Sequence, residues 1–183
     1  MADGQTYFGR IYRRHYGDVR RFVGRRLAED EVEDVAAEVF VVAWRRLADM
    51  PAEERVLPWL YGIARRVLAN EFRRARRAQD LAEHVASQPE HRNGDHAEAV
   101  TDRVAAAAAF DRLRENDREI LRLVAWENLS TAEIATVLGC ARTTAAMRVR
   151  RARRRLFKSL HGPEHTRPAE PSVTASAAEG ANR

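Results

Sequence analysis

A chain of 183 residues with 32 Lys+Arg against 27 Asp+Glu and a pI near 10.1 holds one ordinary domain or two small ones and favours a polyanionic partner. All its basic residues but Lys158 are arginine, which suits phosphate and guanine contacts and equally a GC-rich coding sequence. A single cysteine, Cys140, excludes an intrachain disulfide and a cysteine-based zinc site, and no apolar run has signal-peptide or membrane length, so a soluble cytoplasmic protein without metal or cofactor is expected.

The first helix is expected over residues 6–27, with Phe8, Ile11, Tyr12, Val19, Phe22, Val23 and Leu27 on one face and arginines mostly elsewhere. His15 has no metal partner at a compatible spacing, which assigns it to packing or surface. A second helix over residues 30–48 carries Val32, Val35, Ala36, Val39, Phe40, Ala43 and Leu47 on its apolar side, with Trp44 beside that stripe. Its acidic start (Glu31, Glu33, Asp34, Glu38) complements the helix dipole and by itself requires no other explanation.

Pro51 breaks that helix and Pro58 opens the next, which buries Leu60, Ile63, Ala64, Val67 and Leu68 up to about Arg77. Its rim offers Trp59, Tyr61 and Phe72, followed by Arg65, Arg66, Arg73, Arg74, Arg76 and Arg77. Rings that stack on unpaired bases beside guanidinium groups that track phosphates are what single-stranded nucleic acid requires. The same rings also suit a core, and spacing does not choose for Trp59. From residue 78 to 103 the pattern dissolves into turn chemistry with an acidic excess, which reads as a flexible linker.

A short Ala-rich helix over residues 104–113 then leads into a helix-turn-helix. Asn116-Asp117-Arg118-Glu119 and Ser130-Thr131-Ala132-Glu133 have the form of capping boxes. Ile134, Ala135 and Leu138 are expected to be buried, and Gly139 supplies a turn that needs positive φ. In the third helix of the unit, Ala145, Val149, Ala152, Leu156 and Leu160 form one apolar stripe. Thr143, Met147, Arg150, Arg151, Arg154 and Lys158 point away from it, a basic outer face suited to a DNA major groove. A solvated charged helix in a small bundle would carry a similar stripe. Residues 161–183 hold Pro163, Pro168 and Pro171 and few apolar residues, and are expected to be a disordered tail.

Taken together, these segments resemble an extracytoplasmic-function (ECF, group IV) sigma factor of bacterial RNA polymerase. Asp34-Val-Ala-Ala-Glu38-Val-Phe40 with Trp44 resembles the segment that grips the polymerase β′ clamp. Trp59-Leu-Tyr-Gly-Ile-Ala-Arg65, continuing to Arg73-Arg74, resembles the segment that opens and reads the −10 element. Asp117-Arg-Glu119, Leu129-Ser130, Glu133-Ile-Ala135, Leu138-Gly139 and residues 148–156 resemble region 4, which reads the −35 element. The sequence departs from the family's common residues at Ala37, Arg66, Asn70, Thr143, Ala146 and Met147.

The resemblance implies an all-α protein of two small helical domains joined by a flexible linker. A region 2-like domain would span residues 1–77, the linker 78–103, a region 4-like helix-turn-helix 104–160 and the tail 161–183. It implies core-polymerase binding by Asp34, Glu38, Phe40 and Trp44. It assigns −10 contacts to Trp59, Tyr61, Arg65, Arg66, Asn70, Arg73 and Arg74. It assigns −35 contacts to Arg142, Thr143, Thr144, Met147, Arg148, Arg150 and Arg151. The partners would be core RNA polymerase (β′ clamp and β subunits), promoter DNA and, as in many members, an anti-sigma factor, with no membrane. The acidic linker would run past the polymerase active centre.

The alternative is a helix-turn-helix repressor or activator that acts without being a polymerase subunit, with the N-terminal helices as an effector or dimerisation domain. An enzyme acting on nucleic acid is the third reading. No carboxylate cluster, nucleophile motif or glycine-rich phosphate loop favours it.

Overall fold

The structure, a computed structural model, describes residues 2–83 and 101–161. Seven α-helices and two 3-10 turns make it up, with no strand among the described residues. Helix α1 (Ala2–Gly24) lies somewhat towards the N-terminus of its expected span and buries Ile11, Val19, Phe22 and Val23. Helix α2 (Glu29–Arg45) has no side-chain cap at Ala28, and its first-turn carboxylates Glu29, Asp30 and Glu31 face the partial positive charge there instead. It buries Val32, Val35, Ala36, Val39, Phe40 and Ala43, and ends before the short turns Leu47–Asp49 and Glu53–Arg55.

Helix α3 (Val56–Glu83) crosses both earlier helices. Up to Leu68 it is largely buried. From Ala69 to Ala78 every side chain except Glu71 is exposed, so the second half stands clear of the core. It continues past Arg77, so residues 78–83 are helix rather than linker. The rest of the expected linker, 84–100, and the tail from 162 lie outside the described residues.

The C-terminal helices are α4 (Thr101–Asp111), α5 (Glu115–Ala125), α6 (Thr131–Leu138) and α7 (Arg142–His161). Helix α4 starts within the span read as linker. Of the two expected capping boxes only the second forms. The Ser130 hydroxyl accepts from the Glu133 amide at 3.3 Å, and the Glu133 carboxylate accepts from the Ser130 amide at 2.8 Å. At the first, the helix starts two residues early with Arg114 as an uncapped N-cap, so Asn116 falls inside the first turn. The acids of that box point elsewhere: Asp117 accepts from Arg155 of α7 and Glu119 from Arg26 in the turn after α1.

Asn128 (φ 51°) and Gly139 (φ 59°) hold the left-handed turns that bracket α6. Helix α7 buries Ala145, Val149 and Ala152 as expected, but Leu160 at its far end is 44% exposed. In α6 the buried apolar residue of the last turn is Val137, with Leu138 only partly covered. The reason lies outside the helix-turn-helix. Helix α6 packs on α3, and one continuous apolar cluster runs from Ile11 to Ala152 through both groups of helices.

Candidate polymerase and nucleic-acid surfaces

On α2, the acidic residues divide into two kinds. Glu33 is pinned to α1: Tyr16 donates to one of its oxygens and Arg20 to the other at 2.5 Å. Those bonds hold the Glu33 carboxyl below its ordinary range. They also push the Tyr16 hydroxyl up to about 12, chiefly through its bond to Glu33. Asp34 and Glu38 are exposed and have no hydrogen bond or ion pair among the described residues. Val41, 47% exposed, follows Glu38 on the same side of the helix, and Trp44 is 42% exposed.

Val41 escapes the sequence reading because it lies off the apolar stripe, and it is an exposed apolar residue beside two unpaired acids. Phe40 is different. It is 3% exposed and meets Phe8, Tyr12 and Tyr16 edge-on or tilted, with ring centroids 6.4, 4.8 and 5.9 Å away. In this arrangement it supports the surface from beneath.

On α3, Trp59 is half-buried against the core. Tyr61 does not reach the rim where periodicity put it. It is 4% exposed and stacks on Phe22 with centroids 4.5 Å apart. Its hydroxyl is pushed well up, first by burial and then by the Glu127 and Asp18 carboxylates. Arg65 is half-buried and Arg66 exposed, and neither has a partner among the described residues. Both line a cleft of about 590 Å³ with Arg25, Arg26 and Phe72, closed on the far side by Glu115, Asn116, Glu119 and Arg122 of α5. Asn70 accepts from Arg73 at 2.5 Å and Arg74 pairs with Glu71, all on the exposed half of the helix.

On α7 the expected face is open. Arg142, Thr143, Thr144, Arg148, Arg150 and Arg151 are exposed, and Met147 is 55% exposed. Arg153, three residues beyond Arg150 and so on a neighbouring line of the helix surface, adds a cation that the sequence reading passed over. The helix contains no acidic residue, and among the described residues only Arg155 of its arginines is drawn into an ion pair. Its N-terminal half is held by the Gly139 turn and by Ala145 and Val149 underneath. The arrangement suits a major groove, where such side chains reach base edges and phosphates.

Residues 11–78 match Sigma-70 region 2 and residues 103–156 match Sigma-70, region 4. The chain is 33% identical to the RNA polymerase sigma-H factor of Pseudomonas aeruginosa, over 71% of this chain and 73% of that protein. It belongs to the sigma-70 family, among the ECF sigma factors.

This sigma factor is also 33% identical to the ECF RNA polymerase sigma factor SigC of Mycobacterium tuberculosis, over 74% of each chain. A probable sigma factor of Xanthomonas campestris, RfaY, is 34% identical over 66% of this chain, which spans only 32% of that protein's length. Among solved structures, CnrH in complex with the cytosolic domain of CnrY is 29% identical, with a TM-score of 0.53 over 85% of this chain and 88% of that one. RpoE of Bartonella quintana, solved with the anti-sigma factor NepR, shares the fold: 23% identity and a TM-score of 0.58 over 87% of this chain and 98% of that one. Region 2 covers α1–α3 from Ile11 to Ala78 and region 4 runs from Arg103 into α7, so all three surfaces lie within the matched segments.

Proposed function

We propose that this sigma factor binds core RNA polymerase through the outer face of α2 and directs it to promoters, with α7 on the −35 element and α3 on the −10 element. The observation that carries the reading is the pairing of an unpaired acidic–apolar surface on α2 with two separate arginine faces on α3 and α7. Asp34, Glu38, Val41 and Trp44 form the first. An acidic face would repel nucleic acid and attract a basic protein surface, so the three faces divide between two kinds of partner.

Upstream recognition falls to Arg142, Thr143, Thr144, Met147, Arg148, Arg150 and Arg151, with Arg153 close by. Downstream, Arg65, Arg66, Asn70, Arg73 and Arg74 would hold an unpaired strand and Trp59 would stack on its bases. Capture of unpaired bases would drive strand opening. The protein supplies no catalytic group in this scheme, and the polymerase performs the chemistry. Residues 1–77 and 104–160 then act as two reading domains joined by 78–103, in a cytoplasmic protein. An anti-sigma factor is a further candidate partner, because CnrH and RpoE were each solved with a bound protein.

The α2 assignment is tested by reversing charge at Asp34→Arg and Glu38→Arg. Both residues are exposed and unpaired, so the fold and its helical circular dichroism should be unchanged. Co-purification with core polymerase and core-dependent transcription should be lost. A double variant that still binds core normally removes α2 from the interface.

A further inference from the structure

The cleft into which Arg65 and Arg66 open is unevenly charged. Five arginines line it, Arg25, Arg26, Arg65, Arg66 and Arg122, against two carboxylates. Three of the five are already matched. Arg26 donates to Glu119 at 3.1 Å, Arg25 pairs with Glu127 at 2.8 Å, and Arg122 pairs with Glu115 at 2.8 Å. The surplus falls on Arg65 and Arg66, which have no partner among the described residues. Arg65 is also half-buried. A cation partly withdrawn from water, with other cations around it, is costly until an anion joins it.

The uncharged groups of the cleft are equally specific. Arg65, Leu68, Ala69 and Phe72 follow one another at helical spacing on one face of α3. The Phe72 ring is 50% exposed, and no ring stacks on it among the described residues. Across the cleft on α5, Asn116 is exposed and its side-chain amide has no hydrogen bond among the described residues. Such an amide pairs with the N6/N7 edge of adenine. The volume, about 590 Å³, lies within the ~300–1,000 Å³ of small-molecule sites.

A ring to stack a base, an amide for its edge and two free guanidinium groups for phosphate make the donor set of a nucleotide. A phosphate group brings a charge of about −1.5 to −2, close to the surplus on Arg65 and Arg66. Because α5 closes one side, the recess suits a ligand that ends there. A strand held by the same arginines must leave along the open half of α3.

We propose that this cleft binds a purine nucleotide, with its phosphates between Arg65 and Arg66 and its base between Phe72 and Asn116. Resting on the α3 assignment above, the bound nucleotide excludes the unpaired −10 strand from Arg65 and Arg66. Nucleotide concentration then sets how much of the sigma factor can capture that strand.

Calorimetric titration of the full chain with ADP tests the site. One ADP should bind per chain, and adenosine and pyrophosphate, each lacking half of the contacts, should bind at least about tenfold more weakly. Arg65→Gln with Arg66→Gln should weaken ADP binding by about tenfold or more, the worth of one charged hydrogen bond. Phe72→Ala should weaken it by about fivefold or more through lost stacking. Arg13→Gln with Arg45→Gln makes the same charge change at exposed positions outside the cleft and should leave ADP affinity unchanged. Each variant is checked for helical circular dichroism.

Failure of ADP to bind at ~1 mM overturns the site. Pyrophosphate binding as tightly as ADP, or an equal loss in the Arg13 and Arg45 variant, overturns it too, since either leaves only a general attraction of anions. Exclusion is read separately with a dye-labelled single strand carrying the −10 element. ADP should release this strand and adenosine should not. ADP binding without release overturns the exclusion. A strand that the ADP-free protein does not bind at all refutes the α3 assignment, while the site is still decided by the ADP titration.

Discussion

Arg155 and Asp117 form an ion pair whose two members should differ in their effect on stability. The Asp117 carboxylate accepts from the Arg155 guanidinium at 2.6 Å and ties α5 to α7. Its side chain is 7% exposed, whereas that of Arg155 is 49% exposed. Replacing Arg155 with alanine strands a buried carboxylate. Such a loss costs ~3–5 kcal/mol in a fully buried pair, and water reaching the half-exposed side brings it to about 2–3 kcal/mol here. Asp117→Ala instead frees a guanidinium that hydrates easily, with a cost of about 1 kcal/mol from the lost pair and helix-dipole contact. In urea denaturation of the whole protein, Arg155→Ala should lower the midpoint by about 1 M at an m-value of about 2 kcal/mol/M. Asp117→Ala should lower it by roughly half that or less, and the double variant should be more stable than Arg155→Ala alone. If Asp117→Ala is as damaging as Arg155→Ala, the premise that burial of the acid sets the cost is wrong.

Two further predictions follow from single side chains. His15 is 7% exposed with neither ring nitrogen hydrogen-bonded, and its pKa lies below 6.5 because burial, then Arg14, outweigh the opposing pull of Asp18 and Glu53. The unfolded chain therefore takes up the proton first as pH falls below 6.5, and stability drops from there downward. Urea midpoints of the wild type should fall between pH ~7.5 and ~5.5, and His15→Leu should flatten that part of the fall; an unaltered slope would count against it. Met147 stands on the outer face of α7 as an exposed apolar residue among arginines, suited to the thymine methyl group. Replacing thymine with uracil at the contacted −35 position should weaken binding about three- to fourfold, the worth of one buried methyl at ~0.8 kcal/mol. In Met147→Ala the penalty should vanish, and an equal penalty in both proteins would exclude the contact.

Features decided within one helix or turn were legible in the sequence. The stripe Ala145, Val149 and Ala152, the Ser130–Glu133 box and the positive φ of Gly139 all depend on neighbours a few residues away. Features decided by distant chain were not. Glu119 reads as the last member of a capping box, yet its carboxylate goes to Arg26, 93 residues earlier. Val137 takes the buried place expected for Leu138 because α3 lies on that side, and Tyr61 leaves the rim because Phe22 offers a stacking face. Helical periodicity shows that a face is covered but not by what. On α2 dipole compensation by itself sufficed to explain the acids, and partner binding came only with the family resemblance. Geometry separates them, since Glu33 is engaged and Asp34 and Glu38 are not.

The two halves of α3 also differ in how freely their sequence can change. Up to Leu68, nearly every residue is fixed by packing, with Gly62 and Tyr61 held by helices from both ends of the chain. Beyond it, Arg73, Arg74, Arg76 and Arg77 sit on a rod that touches almost nothing, where a substitution typically shifts stability by less than ~0.5 kcal/mol. Altering those side chains therefore tunes what the rod binds at almost no folding cost. A lineage could retarget this stretch by successive point changes, each leaving a folded protein, while the buried half of the same helix stays nearly immovable.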